Sequence, residues 1–414
     1  MDLTSGHPLW PTVDGLPATY PALHHDRRCD VAVIGGGITG ALVSHRFARA
    51  GIATVLLEAD EIGHGSTAAT TALIQYEIDT HLVDLIERVG AEHAVRSYRL
   101  CLEAVHGIEE LAAGVPAGTT APEPDAVNPC SWRSTRSLYL ASRRRDRAVL
   151  ERECLARRSA GIEVALLDER DIRERFSFAA PAALLSPVAG ELDAFLLTHK
   201  LLGEATLAGL EVYDRTRVTR YDSGRDGVEL RTAGGCQVRA RRVVFATGYE
   251  TPEFLDRKIV RLHSTFALAT APIERFDGWG EDRCMIWESA RPYFYARTTG
   301  DGRAVIGGAD RPYATAHQRH RLLTRQTARL EARFAKLFPA IPCDVDWRWG
   351  GTFGETRDGL PYIGSVRQFP HGYFALGYGG NGITFSWIAA TLLLDRFLGR
   401  QNEDARLFEF DRPR

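Results

Sequence analysis

One glycine pattern limits what this chain can fold into. The apolar strand Val31–Ile34 runs directly into Gly35-Gly36-Gly37-Ile38-Thr39-Gly40, and a helix-period pattern follows with Ala41, Leu42, Phe47 and Ala48 on one face. Gly51 ends that helix, and Ala53-Thr54-Val55-Leu56-Leu57 is a second buried strand closing on Glu58 and Ala59. This is one β-α-β unit. The first glycine permits the tight turn, the second lets the backbone approach a pyrophosphate, and the third lets helix and strand pack closely. The helix N-terminus then offers free N–H groups and the positive end of its dipole to phosphates. Glu58, at the end of the second strand, can accept hydrogen bonds from a ribose hydroxyl. A glycine-rich turn beside an exposed acid would show one of these features, not all three together.

Such a unit serves NAD or FAD equally, so the choice comes from elsewhere in the chain. Gly65-Ser66-Thr67-Ala68-Ala69-Thr70-Thr71 is small and polar just after Glu58, where a long cofactor would pass. Ala246-Thr247-Gly248 ends the apolar run Val243-Val244-Phe245, where a glycine permits close approach of a ligand. Far along the chain, Asp358 to Gly364 and Gly377-Tyr378-Gly379-Gly380-Asn381-Gly382, followed by Ile383 and Thr384, form a second glycine-rich region. An extended FAD needs such a second site for its ring end.

Composition excludes several other classes. Net charge is −2 with acids and bases interspersed, so no basic footprint points to nucleic acid. The 7 cysteines are scattered without a CxxC pair, which indicates neither a zinc site nor a disulfide framework and fits a reducing cytoplasm. No metal site is expected. The N-terminus lacks the pattern of a signal peptide, and no apolar run approaches the roughly 20 residues needed to span a bilayer. Positive charge is carried almost wholly by arginine, a composition of GC-rich, bacterial genomes.

Along the chain, residues 1–27 carry Pro8, Pro11, Pro17 and Pro21 and read as an extended lead-in on the surface. Residues 81–114 read as helical, Ala121 to Asn128 as a loop, and Ser137 to Ala141 as a strand. Arg143 to Ala160 reads as a charged helix whose arginine run is a solvated face. Strands dominate from Glu211, a helix spans Arg319 to Phe338, and another begins near Thr384.

At these motifs the chain resembles the FAD-dependent oxidoreductases of the D-amino-acid oxidase type, which include glycine oxidase, sarcosine oxidase and γ-glutamylputrescine oxidase. The resemblance runs from Cys29 to Phe410, and the block Gly351 to Thr384 is its most specific part. It implies an α+β fold: a Rossmann-like FAD-binding domain and a second domain whose antiparallel sheet covers the flavin. The expected division gives residues 28–90, 195–255 and 346–414 to the first domain, and 91–194 and 256–345 to the second. The resemblance also implies that Val218 lies near the adenine, and that Gly364 and the start of the last helix, Gly382 to Thr384, belong to the cofactor site. There the helix N-terminus would stabilise negative charge on the reduced ring.

Departures from the family pattern shape the expected chemistry. The arginine of glycine oxidase that clamps a substrate carboxylate matches Phe353. The arginine and lysine of sarcosine oxidase match Gln75 and Thr384, and its oxygen-activating lysine has no counterpart in Arg303 to Ile306. Its flavin-linking cysteine has no counterpart in Thr352 to Glu355, and the linking histidine of the dimethylglycine dehydrogenase branch matches Ala69, so FAD is expected to be non-covalent. Phenylalanine cannot replace bidentate carboxylate recognition. The expectation is therefore a small amine, oxidised to an imine with oxygen as acceptor, and Phe353 points to the γ-glutamylputrescine oxidase branch. Arg291-Pro292-Tyr293-Phe294-Tyr295 would run in the sheet over the flavin, with Arg291 able to meet a carboxylate and Tyr293 and Tyr295 forming walls with Trp287 and Trp349; equally, Arg291 reads as a surface ion-pair residue and the tyrosines as core. Tyr76 and Glu77 would border the pocket, with Glu77 equally readable as the start of a helix, while His64 and His263 read as ordinary surface or core histidines. Two alternatives stand beside this: a dehydrogenase of the same fold with another acceptor, and a silent flavin-binding module.

Overall fold

The computed structural model describes residues 3–114, 130–253, 255–256, 259–280, 282–376 and 378–412. The expected loop Ala121 to Asn128 and Gly377 lie outside the described residues.

Two sheets organise these residues. In the smaller one, Arg27–Ile34 lies parallel to Thr54–Leu57 and to Gln237–Phe245, which in turn runs parallel to Gly372–Leu376. Glu211–Tyr213 extends one side in parallel, and Tyr362–Gly364 closes the other antiparallel. Val31 and Val33 face a helical core, whereas Cys29 and Ala32 face a second cluster with Leu230 and Phe374. Both faces are covered, so these strands read as nearly continuous apolar runs. The helix Ile38–Arg49 packs between Ala194–Leu207 and Gly382–Phe397.

The larger sheet has ten strands and is mostly antiparallel. At its centre Arg261–Thr270 pairs antiparallel with both Ala304–Pro312 and Val345–Glu355. Phe266, Leu268 and Ile306 on one face bury against Leu330, Phe334 and Leu337 of the helix Ala316–Leu337. Ala267, Ala269 and Val305 on the other face meet Trp349 and Phe195, so this layer joins the two sheets. The fold is thus α+β, with a Rossmann-like region beside a separate β-sheet region. Leu73–Gln75 and Val345–Glu355 both take their place in the larger sheet.

Residues 3–14 differ from the expected extended lead-in. Thr4–Gly6 adds an edge strand to the larger sheet, and Leu9–Asp14 forms a short helix. The physical reason is the apolar pair Leu9 and Trp10, which is buried against Phe195 and Trp349. The arginine run Arg143 to Arg145 is exposed, as read from the sequence, but the same segment carries a fully buried arginine, Arg157.

Candidate active site

A cavity of about 580 Å³ opens at the carboxyl ends of the parallel strands and runs beneath the larger sheet. Open α/β sheets place ligands at this end of their strands. Gly35, Gly37, Ile38 and Thr39 line it, followed by Glu58 and Ala59, then Gly65, Ser66, Thr67 and Thr71. Ala246, Thr247 and Gly248 enter from the end of Gln237–Phe245, and Gly379, Gly380, Asn381, Gly382 and Ile383 from the start of the last helix. Tyr293, Tyr295, Phe353 and Trp287 complete the walls from the larger sheet.

The glycine turn is held by side chains as well as by its own geometry. Gly36 N–H donates to Glu58 Oε2 at 2.6 Å, and Asp60 N–H donates to Glu58 Oε1 at 2.9 Å. A carboxylate has about four acceptor sites, so Glu58 keeps capacity for a ribose hydroxyl. Burial pushes its pKa upward, against the lowering effect of those N–H donors. Ile38 N–H donates to Thr67 Oγ1 at 2.9 Å, which ties the helix start to the loop Gly65–Thr71. The indole N–H of Trp10 donates to Thr70 O at 2.7 Å, and that of Trp349 donates to Ala69 O at 2.8 Å. Leu3 and Thr4 themselves line the cavity.

Several expected site residues stand just behind the wall instead of in it. Gly36 turns toward Ile62 and Glu58, and Gly40 packs on the Gly35 carbonyl. Ala68 is buried in the helical turn Ser66–Ala69, and Thr384 donates its hydroxyl to Gln75 O at 3.2 Å. Gly364 lies in the edge strand opposite Phe374, beside Arg396, away from the cavity. Val218 opens the strand Val218–Ser223 and packs against the cluster around Leu230.

Four expected pocket residues are displaced further. Tyr76 is fully buried; its hydroxyl meets Ser186 Oγ at 3.0 Å and its ring lies under Arg157. Glu77 is buried beside it and does not start the helix Leu82–Val89. Arg291 is exposed on the connection before the strand Phe294–Thr298, not in the sheet, with its guanidinium 3.3 Å from the centre of the Tyr293 ring. Trp349 is a buried clamp and not a wall. His64 lines the cavity, held to Ile62 O at 3.1 Å and near Glu61, while His263 stacks on Phe353 and pairs with Glu355 at 3.1 Å.

Sequence reasoning missed Asp79 and Asp310, both of which line the cavity. Asp79 accepts the Gly380 N–H at 3.0 Å and so fixes the loop ahead of the last helix. Burial pushes its pKa upward. Neither acid stands in a spacing pattern, so only the fold could bring them forward. Among the described residues, no Arg or Lys side chain lines the cavity, and no group of three His, Cys, Asp or Glu is placed to hold a metal ion. No helix among them is long and apolar enough to cross a membrane.

Residues 30–396 match the family described as FAD dependent oxidoreductase, or DAO. The chain belongs to that family. Its relatives among the FAD dependent oxidoreductases include the γ-glutamylputrescine oxidoreductase of Escherichia coli (strain K12), 26% identical, with the match covering 95% of this chain and 88% of that protein. The glycine oxidase of Bacillus subtilis (strain 168) is 23% identical over 93% of this chain and 98% of its own. In fold the chain is similar to the crystal structure of glycine oxidase from Geobacillus kaustophilus, with a TM-score of 0.75 and 21% identity, covering 94% of this chain and 100% of that one.

The cavity of this FAD dependent oxidoreductase fits the cofactor its family is named for. The helix Ile38–Arg49 gives its Ile38 N–H to Thr67 but has no acid in its first turn, which leaves its positive end without a counter-charge for a pyrophosphate. Ser66 Oγ is shut from solvent without a hydrogen-bond partner in the described structure. A Cβ at Gly65 or Gly248 would meet nothing within 4 Å, so these backbones border open ligand space.

Proposed function

We propose that this flavoenzyme oxidises a small amine, not a simple α-amino acid, with FAD held non-covalently and oxygen as acceptor. The observation that carries the reading is the charge of the cavity wall: Phe353 lines it where a carboxylate clamp is expected, and no Arg or Lys side chain joins it among the described residues. A substrate carboxylate placed there would be desolvated without a cation, which is costly. Bound FAD supplies a two-electron acceptor that takes a hydride from the carbon beside the substrate nitrogen, leaving an imine that water hydrolyses. The protein contributes position and exclusion of water. Trp287, Tyr293, Tyr295 and Phe353 form apolar walls for the carbon chain, and Gly307 allows the Tyr295 ring to lie flat on its strand. The E. coli relative named for γ-glutamylputrescine supports an amine substrate, as does the absence of the Arg-Pro pair at Phe353.

Anaerobic bleaching of the flavin by a panel of amines and α-amino acids tests this. Amines should bleach it, and glycine or D-amino acids should do so far more slowly. Faster bleaching by α-amino acids would reject the reading. In the same assay, hydrogen peroxide should appear on admitting air; slow recovery of colour would instead identify another acceptor.

The non-covalent state has its own expected result. None of the cysteines lines the cavity, and His64 is the histidine that does among the described residues, held at Ile62 and Glu61 on the loop beside Glu58. Acid precipitation of the yellow protein should release all of its FAD into the supernatant, and a yellow pellet would contradict this.

A further inference from the structure

We propose that the substrate carries a second positive charge away from its reacting nitrogen, as an α,ω-diamine does, and that Asp310 receives it. This rests on the amine-oxidising reading above.

Asp310 sits at a bulge in the larger sheet. Phe266 faces Gly308 and Ser264 faces Arg311, so Thr265 alone opposes both Ala309 and Asp310. Bulges of this kind re-aim side chains and occur beside active sites. Ala309 holds φ 54°, a left-handed conformation that residues with a side chain rarely adopt. Beside it, Asp310 lines the cavity with Thr265 and Tyr295.

The carboxylate is incompletely satisfied there. Thr265 lies opposite it, its hydroxyl donating to Gly308 O at 3.5 Å, and Asp310 Oδ1 is shut from solvent with no hydrogen-bond partner among the described residues. Burial pushes its pKa to about 6; the nearby Thr265 hydroxyl and Arg291 oppose this, and Asp79 and Glu355 reinforce it. The half-buried Asp310 thus presents a shut-in carboxyl oxygen short of one partner. The cavity wall offers none: its charged side chains are Glu58, Asp60, Glu61, Asp79, Glu250 and Asp310, all acids. Glu58, Asp60 and Glu61 belong to the turn that follows Thr54–Leu57. Asp79 and Asp310 lie in the part walled by aromatic rings, and Asp79 is already bonded to Gly380. Of the acids on this wall, Asp310 is the one with an oxygen shut from solvent and without a hydrogen-bond partner among the described residues.

Reaction chemistry decides which nitrogen it meets. As the hydride departs from carbon, the C=N bond forms from the nitrogen lone pair, so the reacting amine must be unprotonated. A carboxylate bonded to that nitrogen would hold it as ammonium and block the step. The charge Asp310 matches is therefore on another nitrogen.

The test compares a monoamine and a diamine of equal chain length, n-butylamine and 1,4-diaminobutane, as anaerobic reductants of the FAD-loaded protein. The wild type should prefer the diamine by roughly 10- to 100-fold in the ratio of limiting rate to Kd, the scale of a charge-assisted hydrogen bond. Asp310→Asn should lose that preference through a higher Kd for the diamine, and Asp310→Glu should recover part of it. FAD content of each variant reports that fold and cofactor site stand. Equal use of both amines by the wild type, or a preference that survives Asp310→Asn, overturns the proposal while leaving the amine reading in place. So does a preference for carboxylate-bearing amines that disappears in Arg291→Ala. If no amine bleaches the flavin, the amine reading falls and takes this proposal with it.

Discussion

Arg157→Leu is expected to cost about 3–5 kcal/mol of folding stability, the scale for removing one partner of a buried ion pair. Total stabilities of domains are about 5–15 kcal/mol, so the variant should unfold at markedly lower temperature or denaturant, or fail to accumulate. Arg157 is fully buried, and its Nε donates to Glu153 Oε1 at 2.7 Å. Its Nη1 lies 3.8 Å from Glu77 Oε1, and its guanidinium sits 5.6 Å from the ring centres of both Tyr76 and Tyr98. Glu153 in turn accepts the N–H groups of Leu82 and Val83 at 2.9 and 3.1 Å, capping the helix that follows. Leucine fills the space but leaves Glu153 and Glu77 as buried charges without a counter-ion. Thermal melts of wild type and variant, each with measured FAD content, check the claim; a melt within 2 °C or so of wild type would refute it.

The same cluster fixes a pH dependence. Burial pushes Glu153 upward, but Arg157, His81 and the two N–H donors outweigh it and hold its pKa below the ordinary value. A carboxyl group depressed in the folded state contributes stability that is complete above its unfolded pKa, about 4.3, and that is lost as pH falls through the lower folded value. Acid unfolding of the wild type should therefore include a component below about pH 4 that Arg157→Leu lacks.

Gly40→Ala should strip the protein of its cofactor. A Cβ at Gly40 would lie 1.8 Å from the Gly35 carbonyl oxygen, and that neighbour is backbone, which no rotamer change can move aside. The helix Ile38–Arg49 must shift away from its strand, at about 1–3 kcal/mol or more. Its N–H groups would move off the phosphate position with it. FAD retained after desalting should fall at least about 10-fold, the factor that corresponds to 1.4 kcal/mol. Gly203→Ala is the matched control: Gly203 is exposed within the helix Ala194–Leu207, and a Cβ there meets nothing within 4 Å. That variant should keep its FAD and gain up to about 1 kcal/mol. Full FAD retention by Gly40→Ala would show that the turn tolerates the wider spacing.

The parts of this molecule legible in the sequence are those with a local period or a local turn. Gly35 to Gly40 between an apolar strand and a helix defines its own geometry, and Glu58 follows at the end of the next strand. The loop Gly65 to Thr71 and the segment Gly379 to Ile383 were visible because small residues cluster where backbone lines the cavity. What escaped was set by long-range packing. Tyr76 read as a pocket residue because it follows the loop, yet the alternation of Leu73–Gln75 carries it to the face where Arg157 is buried. Arg157 itself belongs to a helix whose other arginines are exposed, and nothing in its neighbours marks it as internal. Asp79 and Asp310 are single acids in unremarkable contexts, aimed at the cavity by a loop and a bulge. Trp10 seemed part of a wandering lead-in because its partner, Thr70, lies 60 residues away.

The cavity wall draws on Leu3 and Thr4, on the first β-α-β unit, on Ala246 to Glu250, on the larger sheet and finally on Gly382 and Ile383. Synthesis from the N-terminus therefore delivers the phosphate turn early and the last wall segment near the end of the chain. Until Ile383 has joined, Gly35 to Thr39 face an unfinished cleft. A cofactor that spans this wall needs all of these segments in place, so binding it would close the fold as much as equip it. Free FAD that binds only the finished form draws the folding equilibrium forward by mass action. The amount of folded protein a cell holds is thereby coupled to its supply of flavin.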